Sequence, residues 1–241
     1  MILEQQTALI TGAGKGIGRA CALALAGQGA SVIAVARTHS DLDSLTREAS
    51  GTIVPWVMDA TSDELLARIE DEARIDILVN NVGTNVPQPL TAVTAETLDY
   101  VLNLNVRTAF RVAQAAARRM IDAGRGSIVH VSSQMGHVGA ANRTVYCMTK
   151  HAVEGLSKAM AVELAPFGVR SNTVAPTFIE TPMTRPMLEE AAFREEVLSK
   201  IPLGHVGHVD DVAAAVSYLV SPGARMVTGT SLVVDGGWTA V

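Results

Sequence analysis

The fold of this chain turns on Thr7-Ala8-Leu9-Ile10-Thr11 and the glycine-rich residues that follow it, Gly12-Ala13-Gly14-Lys15-Gly16-Ile17-Gly18. The first five read as a short buried strand. Ile17 to Gln28 is rich in Ala and Leu and reads as a helix stopped by Gly29. Between them, Gly12 suits a tight turn, Gly16 close approach of backbone to a phosphate, and Gly18 close packing of helix on strand. A helix that starts there presents free N–H groups and its positive dipole end to a pyrophosphate. Strand, glycine turn and helix in this order predict a nucleotide site.

Outward from this turn, apolar runs alternate with helical patterns. Strands are expected at Ser31–Ala36, Thr52–Val57 and Ile75–Asn80, with helices at Asp41–Ala49 and Asp63–Glu72. Asn85 to Pro89 reads as an extended loop, and Thr94 to Ile121 as one long helix, with Thr94 its N-cap and Gly124 its end. A strand to Val131, a helix from about Tyr146 to Leu164, a strand at Val169–Val174, a helix at Asp210–Val220 and a strand at Ser231–Val234 complete the series. Pro176 is expected to break the pattern, and 177–207 to be irregular. Such β-α-β units demand a parallel sheet. The prediction is a single-domain α/β Rossmann fold over 1–241, doubly wound, with seven parallel strands and helices on both faces.

Composition agrees. The chain is 48% apolar with four Phe, three Tyr and two Trp, so its core must be built from Ala, Val, Leu and Ile, as parallel sheets are. A net charge of −5 without a basic run argues against nucleic acid. No run approaches the roughly 18 apolar residues needed to cross a bilayer, and no basic segment precedes an apolar one at the start. Cys21 and Cys147 fit neither a metal spacing nor a disulfide framework. The expectation is a soluble, reduced, cytoplasmic protein whose partner is a small-molecule substrate.

The second strand should end beside an adenosine ribose. It offers Ala36-Arg37-Thr38 where an acid would hold a 2′-hydroxyl, and Lys15 lies in the glycine turn. Two cations and no carboxylate favour the 2′-phosphate of NADP(H); the alternative is a pair of ordinary solvated cations. Asp59 either accepts a hydrogen bond from the adenine or caps the next helix.

Tyr146 and Lys150 stand four residues apart, so on a helix they share a face. An ammonium beside a phenol should lower the phenol's pKa, making Tyr146 an acid or base usable near neutral pH. Ser133 ends an apolar run that reads as a neighbouring strand. A nucleotide at the glycine turn and this Ser/Tyr/Lys group would face one another, as hydride transfer requires.

With these pieces placed, the chain resembles the short-chain dehydrogenase/reductase family over essentially its full length. The matching residues are Thr11 to Gly18, Asp59, Asn80-Asn81-Val82-Gly83, Asn105, Ser133, Tyr146, Lys150 and Pro176 to Thr181. Val82 stands where Ala is usual, and Thr177 where Gly is. Val145-Tyr146-Cys147 and Pro176-Thr177 are similar to the dicarbonyl/L-xylulose reductase branch. The resemblance implies that Tyr146 exchanges the proton, Lys150 holds the nicotinamide ribose, and Ser133 stabilises the substrate oxygen. It implies that Asn105 holds a water linking Lys150 to solvent. It assigns cofactor contacts to backbone around Asn81 and Ile179 and to the Thr181 hydroxyl, and it suggests a homotetramer. A 3-oxoacyl thioester reductase, an NAD-linked dehydrogenase and a non-catalytic NADP(H)-binding regulator remain as alternatives.

The loop from Gly136 to Thr144 should pass over the reacting carbonyl. It is polar, with Gln134 just before it and Arg143 within it, and Arg185 follows in the covering segment. Two guanidinium groups there would suit a substrate carboxylate; solvation or a subunit contact is the alternative. The expected substrate is small and oxygen-rich: a sugar, a polyol or a short keto acid.

Overall fold

The computed structural model describes residues 2–240. Seven parallel strands, β1 (Thr7–Thr11), β2 (Ser31–Ala36), β3 (Ile53–Val57), β4 (Ile77–Asn80), β5 (Gly126–Val131), β6 (Val169–Pro176) and β7 (Ser231–Val234), form one sheet in the order β3-β2-β1-β4-β5-β6-β7. Side chains alternate across it with period two. Ala8, Ile10, Val32, Ala34, Ile77, Val79 and Val129 face one core, against α1 (Gly16–Gly27), α2 (His39–Glu48) and α9 (Val209–Val220). Leu9, Ile33, Val35, Leu78 and Ile128 face the other. That core is closed by α3 (Asp63–Asp71), α5 (Thr108–Ala123) and the end of α6 (Thr144–Leu164). Both faces are covered, as the apolar strands required.

Strand order reverses between β1 and β4, since β2 and β3 lie to one side of β1 and β4 to the other. Strand ends at such a switch point diverge and leave a crevice. The glycine turn after β1 and Asn80-Asn81 at the end of β4 flank it. Thr11 bridges the two: its hydroxyl donates to Asn80 Oδ1 (3.4 Å) and accepts from the N–H of Asn81 (3.0 Å). The Asn81 side chain donates to the carbonyls of Thr11 (3.1 Å) and Gly12 (3.3 Å).

Three expectations need correction. The long helix is two helices, α4 (Ala95–Leu102) and α5, joined by a π turn at Asn103–Arg107. Its predicted ends hold: Thr94 accepts from the N–H of Thr97, and Gly124 takes φ 67°. Pro176 does not break the pattern but forms the last residue of β6, paired with Val234, where its missing N–H costs least. Finally, 177–207 is not irregular throughout. It contains α7 (Arg185–Leu188) and α8 (Ala191–Ser199). Pro186 sits in the first turn of α7, where proline is tolerated. Leu188, Val197 and Ile201 bury a small core of their own against Phe178, Phe193 and Trp238. The rings of Phe178 and Phe193 meet edge to face at 5.5 Å.

Candidate active site

A cleft of about 680 Å³ runs along the carboxyl ends of the strands, within the size range of small-molecule sites. At one end it is walled by Gly12, Gly14, Lys15, Gly16 and Ile17. Gly12 and Gly16 take positive φ of 69° and 56°. A methyl group on Gly18 would sit 2.3 Å from the Gly12 carbonyl oxygen, so only glycine lets α1 start this close to β1. Gly18 does not line the cleft; it sets the packing behind it. Lys15, at the helix N-cap, places no side chain over the free N–H groups, and the first turn has no acid. An uncapped helix start behind a cradle of glycines fits a pyrophosphate.

Arg37, Thr38 and Asp59 also line this end, all exposed. Asp59 accepts from the Thr61 N–H and hydroxyl at 2.8 Å. Those bonds, main chain first, hold its carboxyl below the ordinary range, with Arg37 adding to the effect. The cap of α3 is Ser62, not Asp59. The expectation of two cations without a carboxylate is corrected by Asp41. From the first turn of α2 its Oδ2 reaches Lys15 Nζ at 3.3 Å, inside the same cleft. Arg37 alone of the three has no ion pair within 4 Å among the described residues.

At the other end the cleft is walled by Gly83, Ser133, Tyr146, Lys150, Pro176, Thr177, Ile179 and Thr181. Thr181 lies against the glycine turn, 3.5 Å from where a Gly16 side chain would begin, and its hydroxyl bonds to Thr184. Thr177 Oγ1 is buried and has no hydrogen-bond partner among the described residues. Ser133 donates to Gln134 Oε1 (2.6 Å) and accepts from the Met135 N–H (3.2 Å). Lys150 Nζ donates to the Val131 carbonyl (2.9 Å) and lies 5.5 Å from the centre of the Tyr146 ring.

The expected lowering of the Tyr146 pKa is not found. Burial pushes the phenol up to about 12, outweighing the lowering by Ser133 and Arg143. The ammonium points at a main-chain carbonyl instead of the phenol oxygen, and is itself brought down by burial to about 8. Beneath it His130 is buried with neither ring nitrogen bonded among the described residues. Burial, then the Lys150 charge, lowers it to about 4, so it is neutral.

Asn105 sits in the π turn with its side chain already engaged. Its Oδ1 accepts from the N–H of Thr84 (2.7 Å), and its Nδ2 donates to the Thr84 carbonyl (2.8 Å) and to Thr149 Oγ1 (3.0 Å). It braces the Gly83 loop against α6. Gln134 is buried behind Ser133. Arg143 and Arg185 do not converge on one carbonyl. The first donates to the Asn142 carbonyl (3.3 Å) and the second pairs with Glu180 (3.5 Å), and neither lines the cleft. Asp41, Met58, Tyr100 and Asn103, cleft residues that the sequence did not single out, come from helices or strand ends with no motif of their own.

A family model described as Enoyl-(Acyl carrier protein) reductase matches residues 12–239. An L-xylulose reductase of Mus musculus is 42% identical over 240 residues, 99% of this chain and 98% of the relative. A 3-oxoacyl-[acyl-carrier-protein] reductase of Thermotoga maritima is 41% identical, over 98% of this chain and 99% of the relative. The structure of a gluconate 5-dehydrogenase from Burkholderia cenocepacia in complex with NADP and tartrate superposes with a TM-score of 0.93 at 33% identity, covering 99% of this chain and 97% of that one. No helix among the described residues is long and apolar enough to cross a membrane. On the strength of the full-length match and the shared doubly wound sheet, the chain belongs to the short-chain dehydrogenase/reductase family.

Proposed function

We propose that residues 1–241 fold as one NADP(H)-binding domain that interconverts a small, oxygen-rich ketone and its secondary alcohol. The observation that carries the reading is the single cleft running from the glycine cradle to Ser133, Tyr146 and Lys150. Arg37 and Lys15 would meet the 2′-phosphate, and Gly12 to Ile17, Thr38, Asp59, Asn81, Gly83, Ile179 and Thr181 would hold the remainder of the cofactor. When bound, the cofactor supplies or accepts the hydride at the substrate carbon. Tyr146 gives its proton to the carbonyl oxygen in reduction, and takes one back from the alcohol in oxidation. The Ser133 hydroxyl turns from Gln134 toward that oxygen, and the Lys150 charge stabilises the phenolate left behind.

The sugar class is supported by the likeness to the L-xylulose reductase and by polar groups on the cleft walls, Asn85, Asn103 and Thr177 among them. Exposed Phe110, Met148, Val162 and Phe167 on α5, α6 and the turn after it support a homo-oligomer, a tetramer by family likeness. A panel of pentuloses, keto-acids of sugars and a 3-oxoacyl thioester, each assayed with NADPH and NADH, tests the reading. Reduction of a ketose or sugar acid with NADPH is expected. A clear preference for the thioester, or for NADH, overturns it.

A further inference from the structure

Behind Lys150 lies a buried polar row that the reaction above does not use. Asn80, His130, Thr173 and Ser231 are register partners across β4, β5, β6 and β7. Glu154, one turn beyond Lys150 on α6, closes this row while only 5% exposed. Its Oε2 accepts from Thr173 Oγ1 (2.8 Å) and its Oε1 from Ser231 Oγ (3.2 Å). His137 shares a hydrogen bond with Ser231 (2.9 Å), lies 3.5 Å from Glu154 Oε1, and reaches the surface. A carboxylate taken this far out of water needs a compensating charge, and two hydroxyls do not supply one.

The groups around it narrow the choice. On α6 the other titratable neighbours are Tyr146, neutral, the buried thiol of Cys147, and His151 and Lys158, both exposed. On β5, His130 is neutral, and on β6 the sole charge is Arg170, near the far end of the strand. Arg107 of the π turn and Glu96 and Asp99 of α4 are exposed. The arginines of α5 pair with Asp63, Glu70 and Asp122. That leaves His137 at the rim and Lys150 inside.

We propose that Glu154 is a positioning residue whose buried negative charge keeps Lys150 protonated and so fit to stabilise the Tyr146 phenolate. The proposal rests on the reading of Lys150 given above, and deepens it. Burial alone drives the Lys150 pKa down, and Glu154 is what opposes it. Without that charge the ammonium is lost at lower pH, and alkaline activity goes with it.

The test uses the full chain and its Glu154→Gln variant, which keeps shape and hydrogen bonds but removes the charge. Acetylation of Lys150 by acetic anhydride, followed by mass spectrometry across pH, reports its protonation without any substrate. The midpoint is expected to move to lower pH by about half a unit to one unit, the usual scale of one environmental change. The alkaline limb of kcat for ketone reduction should move with it, with KM unchanged. His137→Gln, which removes no buried charge, should leave the midpoint in place. If Glu154→Gln does not fold, Glu154→Asp should give a smaller shift in the same direction. An unmoved midpoint in a folded variant overturns the proposal, as does an equal shift in His137→Gln. A shifted midpoint in a protein that reduces no ketone supports Glu154's role and sinks the proposed activity instead.

Discussion

At the nucleotide end of the cleft, shape comes from backbone: glycines at positive φ, an uncapped helix start, and a Gly18 that must have no side chain. At the opposite end it comes from side chains taken out of water: Ser133, Lys150, Asn105, His130 and Glu154 are all at least 95% buried. The first kind of site is steric and tolerates little added volume. The second is electrostatic, so burial and not the nearest charge decides protonation. That is why burial raises the Tyr146 phenol although Lys150 shares its helix face. Proximity along a helix is a weaker fact than the direction in which an ammonium points.

Substitutions at each end should therefore fail differently, and the largest effect belongs to the chemistry. Tyr146→Phe should lower kcat by about two to four orders of magnitude while NADPH still binds, as steady-state kinetics and a fluorescence titration would show. Retained turnover would erase the contrast, because the buried end would then have no chemistry of its own. Next comes Arg37→Ala. Loss of a charge-assisted contact, about 1.5–3 kcal/mol, should weaken NADPH roughly ten- to a hundredfold and leave NADH unchanged by calorimetry.

Gly18→Ala attacks the backbone end directly. Overpacking of this kind costs about 1–3 kcal/mol. For a chain of this length, each kcal/mol lowers Tm by about 2–4 °C in a scanning experiment. An unaltered Tm would mean the close approach is not needed. The smallest effect is expected from Asp41→Asn, which frees Lys15 from an exposed pair worth about 0.2–1 kcal/mol. NADPH should then bind up to about fivefold more tightly, and NADH no differently. Equal gains for both would place Lys15 away from the 2′-phosphate.

The same contrast governs what could be read from the sequence. The glycine turn and the alternation of strands and helices follow from local rules: positive φ wants glycine, and a parallel crossover needs a helix. Tyr146 and Lys150 were legible for the same reason, being four apart on one helix. Asp41 was not, because it meets Lys15 only after β2 has crossed the sheet and α2 has turned back. Nor were α7, with Pro186 in its first turn, and α8, whose few apolar residues make sense only with Phe178 and Trp238 beside them. Arg143 and Arg185 looked like substrate ligands because sequence places them near the motif but does not show where they point. Glu154 gave no signal either; a glutamate on an amphipathic helix ordinarily faces water.

The π turn between α4 and α5 has a consequence for descent. It holds one residue more than an α-helical turn, and each helical residue adds about 100° of rotation. Val101 before it and Ala109, Val112 and Ala116 after it all reach the interior, and Asn105 reaches Thr84, only with that extra residue present. A deletion in this stretch would straighten the helix and swing one half out of phase with the other. For the gene, a changed codon here alters one side chain, whereas a lost codon re-aims all of those on one side of it.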